Sequence, residues 1–348
     1  MSQERPALPR FRLAFLPLLG ILAMLLVEGT GYLAFFLKYR QLPYSFATAQ
    51  FYQEVHLYMA DHPYLPYLAT KGRAGGIEFN TWGDRGPELE SPKRRVRVLC
   101  YGGSTTYDAR WPWALQKMLG ADKYEVVIAA QNGATSADTL VNFLLIHQDL
   151  QPDFVLALEG INDLESSYTP GFRPDYAHRR RKIGATPYPV FDRLPRWFNA
   201  SSAYVLLRWR IVGPRGDLRA LFTRPGPYDF ERGPFGLPTF ERNLRTLNLL
   251  ARNVGARLVL GTPPYHRAKA ERRLGRAFAD GWQKGLDAEN AIVRRLAAGN
   301  SGILLADAAR HVPLDDAYFQ DFCHFTDEGG RLVAESFFDA LKRAGAVR

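Results

Sequence analysis

Cysteine is scarce in this 348-residue chain: it has two, Cys100 and Cys323, and no CxxC pair. Its seven histidines form no HExxH pattern, so a structural zinc site has no support, and neither metal nor cofactor is expected. Two cysteines permit one disulfide, but nothing shows that they meet, and two free thiols are the default. There is no GxSxG, which argues against the nucleophile elbow of α/β-hydrolases. Repeats and low-complexity tracts are missing too, which sets aside repeat architectures. Acidic residues are outnumbered, 35 against 45 Lys and Arg. The resulting +10 charge suits an anionic partner or surface, or serves only solubility. Nucleic acid is not among the expected partners.

What the sequence does have begins at its N-terminus. From Phe11 to Leu37 the only charged residues are Arg12, at the start, and Glu28. As a helix this stretch would be about 40 Å long, enough to cross a bilayer with tilt. The reading is a cytoplasmic tail at 1–10 and a transmembrane helix at 11–37. Arg5, Arg10 and Arg12 stand before or at the start of the helix; after Lys38 and Arg40 no Lys or Arg follows until Lys71. That bias favours a single pass with a cytoplasmic N-terminus and the C-terminal domain on the exported side. The rival is a cleaved signal peptide ending near Ala47-Thr48-Ala49, although the apolar run is long for one. Glu28 is costly in lipid unless it is interfacial, protonated or paired, so it can mark a membrane-protein partner.

Residues 38–95 read as a juxtamembrane connector rich in Tyr, Pro and Gly. From residue 96 on, short aliphatic runs alternate with helix-length amphipathic stretches, the pattern of a parallel sheet wrapped by helices. Strands are expected at Val96–Tyr101, Tyr124–Ala130, Phe154–Glu159, Arg257–Gly261 and Gly302–Ala306. Helices are expected at Trp113–Leu119, Ser136–His147, Phe240–Asn253, Arg267–Leu296 and Glu328–Ala344. The fold class is therefore α/β, a three-layer α/β/α sandwich on a five-stranded parallel sheet of flavodoxin-like type, occupying 96–348. A segment at about 165–239 breaks the alternation. From Gly171 to Phe240 it carries thirteen Lys and Arg against five Asp and Glu, most of the chain's net charge. Interleaved with aromatics, that charge suits an anionic glycan or a phosphate-bearing membrane surface, or is only a solvated face.

Three short motifs fall at expected carboxyl strand ends, where doubly wound sheets bind ligands, and a fourth stands just before the last expected helix. After the first strand, Gly102-Gly103-Ser104 presents a hydroxyl with little bulk around it. Near the C-terminus, Asp321-Phe322-Cys323-His324 offers an imidazole and the carboxylate that would fix its tautomer. Asn132-Gly133-Ala134-Thr135-Ser136 and Gly160-Ile161-Asn162-Asp163 follow the second and third strands and offer donors for an oxyanion. Each motif alone reads as an ordinary turn or cap; their common edge and their order do not.

In that order the motifs resemble the four blocks of the SGNH/GDSL hydrolase superfamily. Asp61-His62-Pro63-Tyr64 and the run Phe79 to Glu88 resemble a bacterial subgroup with an N-terminal membrane helix. The resemblance implies a serine ester hydrolase with Ser104 as nucleophile, His324 as base and Asp321 as its orienting acid. It implies an oxyanion hole from Ser104, Gly133 and Asn162. One departure is Gly103, which stands where the eponymous block has Asp. The expected activity is hydrolysis of an acyl ester on an envelope glycan or lipid. Two alternatives are an O-acyltransferase acting on an exported polysaccharide with a membrane partner, and a non-catalytic glycan-binding module.

Overall fold

The computed structural model describes residues 10–40, 42–45, 59–60, 62, 64–65, 67–74, 76–178, 196–212 and 228–347. The main helices are α1 (Arg10–Tyr39), α2 (Ser104–Tyr107), α3 (Arg110–Leu119), α4 (Ser136–Leu145), α5 (Ile161–Ser167), α6 (Ser202–Val212), α7 (Leu237–Asn253), α8 (Arg267–Leu274), α9 (Arg276–Ala298), α10 (Ala308–His311) and α11 (Asp327–Arg343). The strands are β1 (Met59–Ala60), β2 (Leu68–Ala69), β3 (Gly72–Ala74), β4 (Ile77–Phe79), β5 (Val96–Gly102), β6 (Tyr124–Ile128), β7 (Phe154–Leu158), β8 (Arg257–Gly261) and β9 (Ile303–Ala306). They form two compact units, Tyr58–Ile183 with Phe222–Arg348, and Met1–Leu57 with Gly184–Leu221.

The larger unit is built on the parallel sheet β6-β5-β7-β8-β9. Its strands are mostly apolar because both faces are covered, and the charged pair they bury, Arg97 on β5 and Glu125 on β6, is joined at 2.7 Å. Alternation along β5 divides the core: Val98 and Cys100 point to α3 and α11, while Leu99 and Tyr101 point to α4, α7 and α9. The α/β/α sandwich expected from the sequence is thus the observed architecture. In this strand order the chain reverses direction between β5 and β7, and the crevice at their carboxyl ends is where such a sheet takes a ligand. Ser104 follows β5 and Asn162 lies just beyond β7.

Two features depart from the sequence reading. The long helix expected over Arg267–Leu296 is two helices, because Gly275 takes φ +91°, a left-handed conformation that stops one helix and starts the next. The described residues of the stretch read as a connector belong, from Met59 on, to the larger unit. There, buried Tyr67 accepts from the Asn132 N–H at 2.8 Å, and its carbonyl accepts from Gln131 Nε2 at 2.9 Å. Both cysteines are buried and free. Of the basic segment, Arg179, Arg180, Arg181 and Lys182 lie outside the described residues.

In the smaller unit, α1 is a 30-residue helix whose Phe15–Lys38 portion is long and apolar enough to cross a membrane. The partner that Glu28 requires is supplied by the chain itself. Its carboxylate accepts from the Ser202 N–H at 2.6 Å, from Ser202 Oγ at 2.8 Å and from Ser201 Oγ.

The tightest helix pair of the larger unit is α3 on α11. Trp111, fully buried, stacks on Phe337 with ring centres 4.6 Å apart, and its indole N–H donates to Thr106 Oγ1 at 3.2 Å. Trp111→Ala is expected to lower the unfolding free energy by about 3–5 kcal/mol. Urea titration of the detergent-solubilised chain by circular dichroism reads this, and an unchanged midpoint would refute the packing argument.

Candidate active site

The turn that carries Ser104 is shaped by the residues before it. Gly102 has φ +148°, and a Cβ there would lie 2.3 Å from Thr106 Oγ1 and 2.7 Å from the Leu158 carbonyl, so no side chain fits. The chain then enters α2, placing Ser104 at its first residue. The Arg85 guanidinium braces this turn, donating to the Tyr107 carbonyl and lying 5.5 Å from the Tyr107 ring centre. The Phe79–Glu88 run therefore supports the helix that carries Ser104.

The opposing loop is fixed by its own carboxylate. Asp321 Oδ1 accepts from the backbone N–H groups of Cys323 at 2.9 Å and His324 at 2.8 Å. Asp321 Oδ2 lies 2.9 Å from His324 Nδ1, and His324 Nε2 lies 2.8 Å from Ser104 Oγ. The three residues named from the sequence thus meet in one hydrogen-bonded chain across 220 residues of sequence.

Electrostatics set the proton positions. Burial opposes ionisation of Asp321, but the His324 hydrogen bond and the two backbone N–H groups outweigh it and hold the carboxyl far below the usual range. Nδ1 therefore carries the imidazole proton, leaving Nε2 to accept from the serine hydroxyl. Burial pulls the His324 pKa down, but the Asp321 hydrogen bond and charge, with Asp108, raise it above 6.5. The His324 side chain keeps 26% of its surface exposed, so the site is open to a substrate.

The ligating atoms of Asp321, Cys323 and His324 lie within 4.8 Å of one another. Both ring nitrogens of His324 are engaged by Asp321 and Ser104, and burial pushes the Cys323 thiol well above its ordinary pKa. The trio is poorly suited to a metal, which takes a thiolate and a free imidazole nitrogen.

The two other motifs join the same edge. Gly133 has φ +73° in the turn that the Ala134 N–H closes on the Gln131 carbonyl. Asn162 Nδ2 donates to the Ala134 carbonyl at 2.9 Å. It also fills the space beside Gly103, where a Cβ would lie only 2.0 Å from it. All five residues singled out from the sequence sit at the carboxyl ends of β5, β6 and β7 or on the loop before α11.

Sequence reasoning missed a buried acidic group behind this edge. Asp163 accepts from the Ser136 N–H at 3.0 Å, Ser136 Oγ at 2.5 Å and the Tyr176 hydroxyl at 2.7 Å. Ser136 Oγ in turn accepts from Asn243 Nδ2 at 2.9 Å. Burial, then the charge of Asp163, raises the Glu159 pKa; burial likewise raises Asp163, against the Ser136 and Tyr176 hydrogen bonds. Glu289 is fully buried, and burial with the neighbouring Asp163 and Glu159 pushes it well above its ordinary value. Asp163 and Ser136 lie inside the motifs; nothing in the sequence pointed to Tyr176 or Glu289.

A serine hydroxyl paired to an Asp-oriented imidazole, at the switch point of a doubly wound sheet, defines a serine hydrolase. The GDSL-like Lipase/Acylhydrolase family model matches residues 98–332, and the chain belongs to that family, the SGNH-type serine ester hydrolases. None of the curated proteins matches the chain. Among solved structures it is similar to a GDSL-like lipase of Bacteroides thetaiotaomicron, with 16% identity, TM-score 0.44, and 74% of this chain and 93% of that one covered. It is similar to a catalytic mutant of an acetylxylan esterase from Geobacillus stearothermophilus, with 16% identity, TM-score 0.42, and coverage of 70% and 93%. It is also similar to a putative SGNH hydrolase of Slackia heliotrinireducens, with 22% identity, TM-score 0.40, and coverage of 71% and 100%.

Hydrolysis through this imidazole needs its neutral form, so kcat/KM should fall as pH drops through the His324 pKa. Because that pKa is raised, the acidic limb is expected above pH 6.5. Asp321→Asn removes the raising charge and should move the limb downward while lowering kcat. A limb that stays put in Asp321→Asn would show that another group titrates.

Proposed function

We propose that the protein is a membrane-anchored serine esterase that cleaves an acyl ester on an envelope glycan or lipid through an acyl-enzyme at Ser104. The observation that carries this reading is the unbroken chain from Ser104 Oγ through His324 to Asp321. Ser104 Oγ attacks the ester carbonyl while His324 Nε2 takes its proton. The Asp321 carboxylate stabilises the imidazolium that forms, and the imidazolium then protonates the leaving alcohol. Water, deprotonated by His324, next attacks the acyl-enzyme, and the acid departs with Ser104 restored.

The developing oxyanion is held by the N–H groups of Ser104 and Gly133 and by Asn162 Nδ2. Gly133 and Asn162 flank Ala134, whose carbonyl already fixes the amide. The anchor is α1, and the excess of arginine around its N-terminal end directs the hydrolase unit outward, to the periplasmic side. A tethered enzyme facing that space meets the lipids and glycans of the envelope, which is the basis for the substrate class.

A fluorophosphonate probe is expected to label the wild type and not Ser104→Ala, and turnover of an acyl-ester panel should vanish with the label. Full activity in folded Ser104→Ala would sink the reading. Asn162→Ala should retain the label but lose roughly 10²–10³ in kcat.

Gly103 gives a second, independent prediction. A Cβ there would lie 2.0 Å from Asn162 Nδ2, the far end of a side chain that can move. Gly103→Ala should push the Asn162 amide aside at little cost in stability and reproduce most of the Asn162→Ala loss. The double variant should then be no worse than Asn162→Ala alone, whereas additive losses would show that the two positions act separately.

A further inference from the structure

The basic, aromatic segment was read from sequence as a surface for anionic glycan or lipid headgroups. Its described helical part points to something different. Along α1 the side chains of Leu16, Leu19, Leu22, Met24 and Leu26 are between 57% and 70% exposed, a surface that water does not tolerate on a lone helix. Among the described side chains of this helix, Gly31 and Phe35 are buried and Glu28 and Tyr32 half-buried. Those four fall at i, i+3, i+4 and i+7, one stripe of a helix.

α6 and the turn before it lie against that stripe. A Cβ on Gly31 would come within 2.0 Å of Ser202 Oγ, so glycine is what allows the approach. The Tyr32 hydroxyl donates to the Ala200 carbonyl. The Glu28 carboxylate receives the Ser202 N–H and both serine hydroxyls, acting as an N-cap supplied by another helix. Negative charge at that end also suits the α6 dipole. On α6, Ser202, Val205 and Arg208 are buried, the Arg208 charge thus being turned away from the outer surface, while Leu206 and Leu207 are 42% and 55% exposed and Trp197, in the preceding turn, is 67% exposed.

We propose that α6 and the Arg196–Ala200 turn are embedded in lipid beside α1, so that the chain enters the bilayer twice, with hydrocarbon covering Leu206, Leu207 and Trp197. Three observations carry this. The exposed apolar face of α6 belongs to a helix docked on one that is itself long and apolar enough to span. Ten residues, about 15 Å of helix, separate Glu28 from Lys38, so the docking point lies below the charged end of the span. The donors gathered on Glu28 are what a carboxylate at that depth needs. The exposed Arg210 has a stem long enough to carry its charge toward the headgroups. A consequence is that α1 is a retained part of the fold. Cleavage near Ala47-Thr48-Ala49 would strip α6 of its cap and of the helix it packs on.

The test uses the full chain reconstituted in phosphatidylcholine–phosphatidylglycerol vesicles. A polarity-sensitive fluorophore is placed on Leu207→Cys, and on Arg232→Cys as an exposed reference in the hydrolase unit. Doxyl-labelled lipid should quench the first several-fold more than the second, and aqueous iodide should do the reverse. Gly31→Leu and Ser202→Leu, which break the contact from either side, should each weaken lipid quenching at position 207, with circular dichroism confirming that the chain is folded. Equal iodide quenching at the two sites would overturn the proposal. Lipid quenching that survives both contact variants would overturn its docking on α1.

Discussion

The packing of α3 on α11 is the constraint on which the site depends. Ser104 lies six residues before α3, and His324 three residues before α11. Their side chains must meet to within a hydrogen bond, and the helices that follow them set whether they do. Gly330 allows the approach, since a Cβ there would lie 2.8 Å from Arg110 Cβ and 3.1 Å from the Trp111 nitrogen. Trp111 stacked on Phe337 fixes the separation, and an Arg110–Asp327 ion pair closes the end nearest the site. Thr106 belongs to the same arrangement, because its hydroxyl both fills the space over Gly102 and accepts from Trp111. A shift of this helix pair would therefore move the Ser104 hydroxyl and the His324 imidazole apart together with their supports.

The unit sustains carboxyl groups in opposite states within one fold. Asp321 is half-buried but receives two backbone N–H groups and an imidazole, so its charged form is favoured. Glu289 is wholly buried, and among the described residues neither oxygen has a hydrogen-bond partner, so its neutral form is favoured. Asp163 stands between these cases, with three donors offsetting the cost of burial. The arrangement keeps negative charge at the imidazole and limits it behind Asn162; on the proposed mechanism, a full charge there would oppose the oxyanion.

The sheet was legible in the sequence because a parallel sheet covered on both faces needs unbroken aliphatic runs, and Val98–Tyr101 and Phe154–Leu158 are such runs. Three of the four motifs were legible because each follows the end of such a run, while Asp321–His324 stood out by its spacing and by the helix that follows it. Gly275 was not legible as a helix break, since a helix interior also tolerates glycine and only the backbone angle decides. Tyr176 was hidden by its surroundings: it lies in a segment without periodicity, and its role rests on a contact with Asp163 thirteen residues earlier. Glu28 could be recognised as needing a partner, but no spacing rule connects it to Ser201 and Ser202, more than 170 residues away.

Gly103 shows how a departure from a family pattern can be compensated inside one site. Where the eponymous block carries an aspartate, this chain leaves an empty position, and the Asn162 amide occupies that space. Its hydrogen bond to the Ala134 carbonyl ties the turn after β6 to the helix after β7, directly above the residue that precedes Ser104. A side chain at position 103 and the present position of Asn162 are mutually exclusive. The glycine is thus less a lost element of the motif than the condition for this placement of the amide, and the two positions are constrained as a pair.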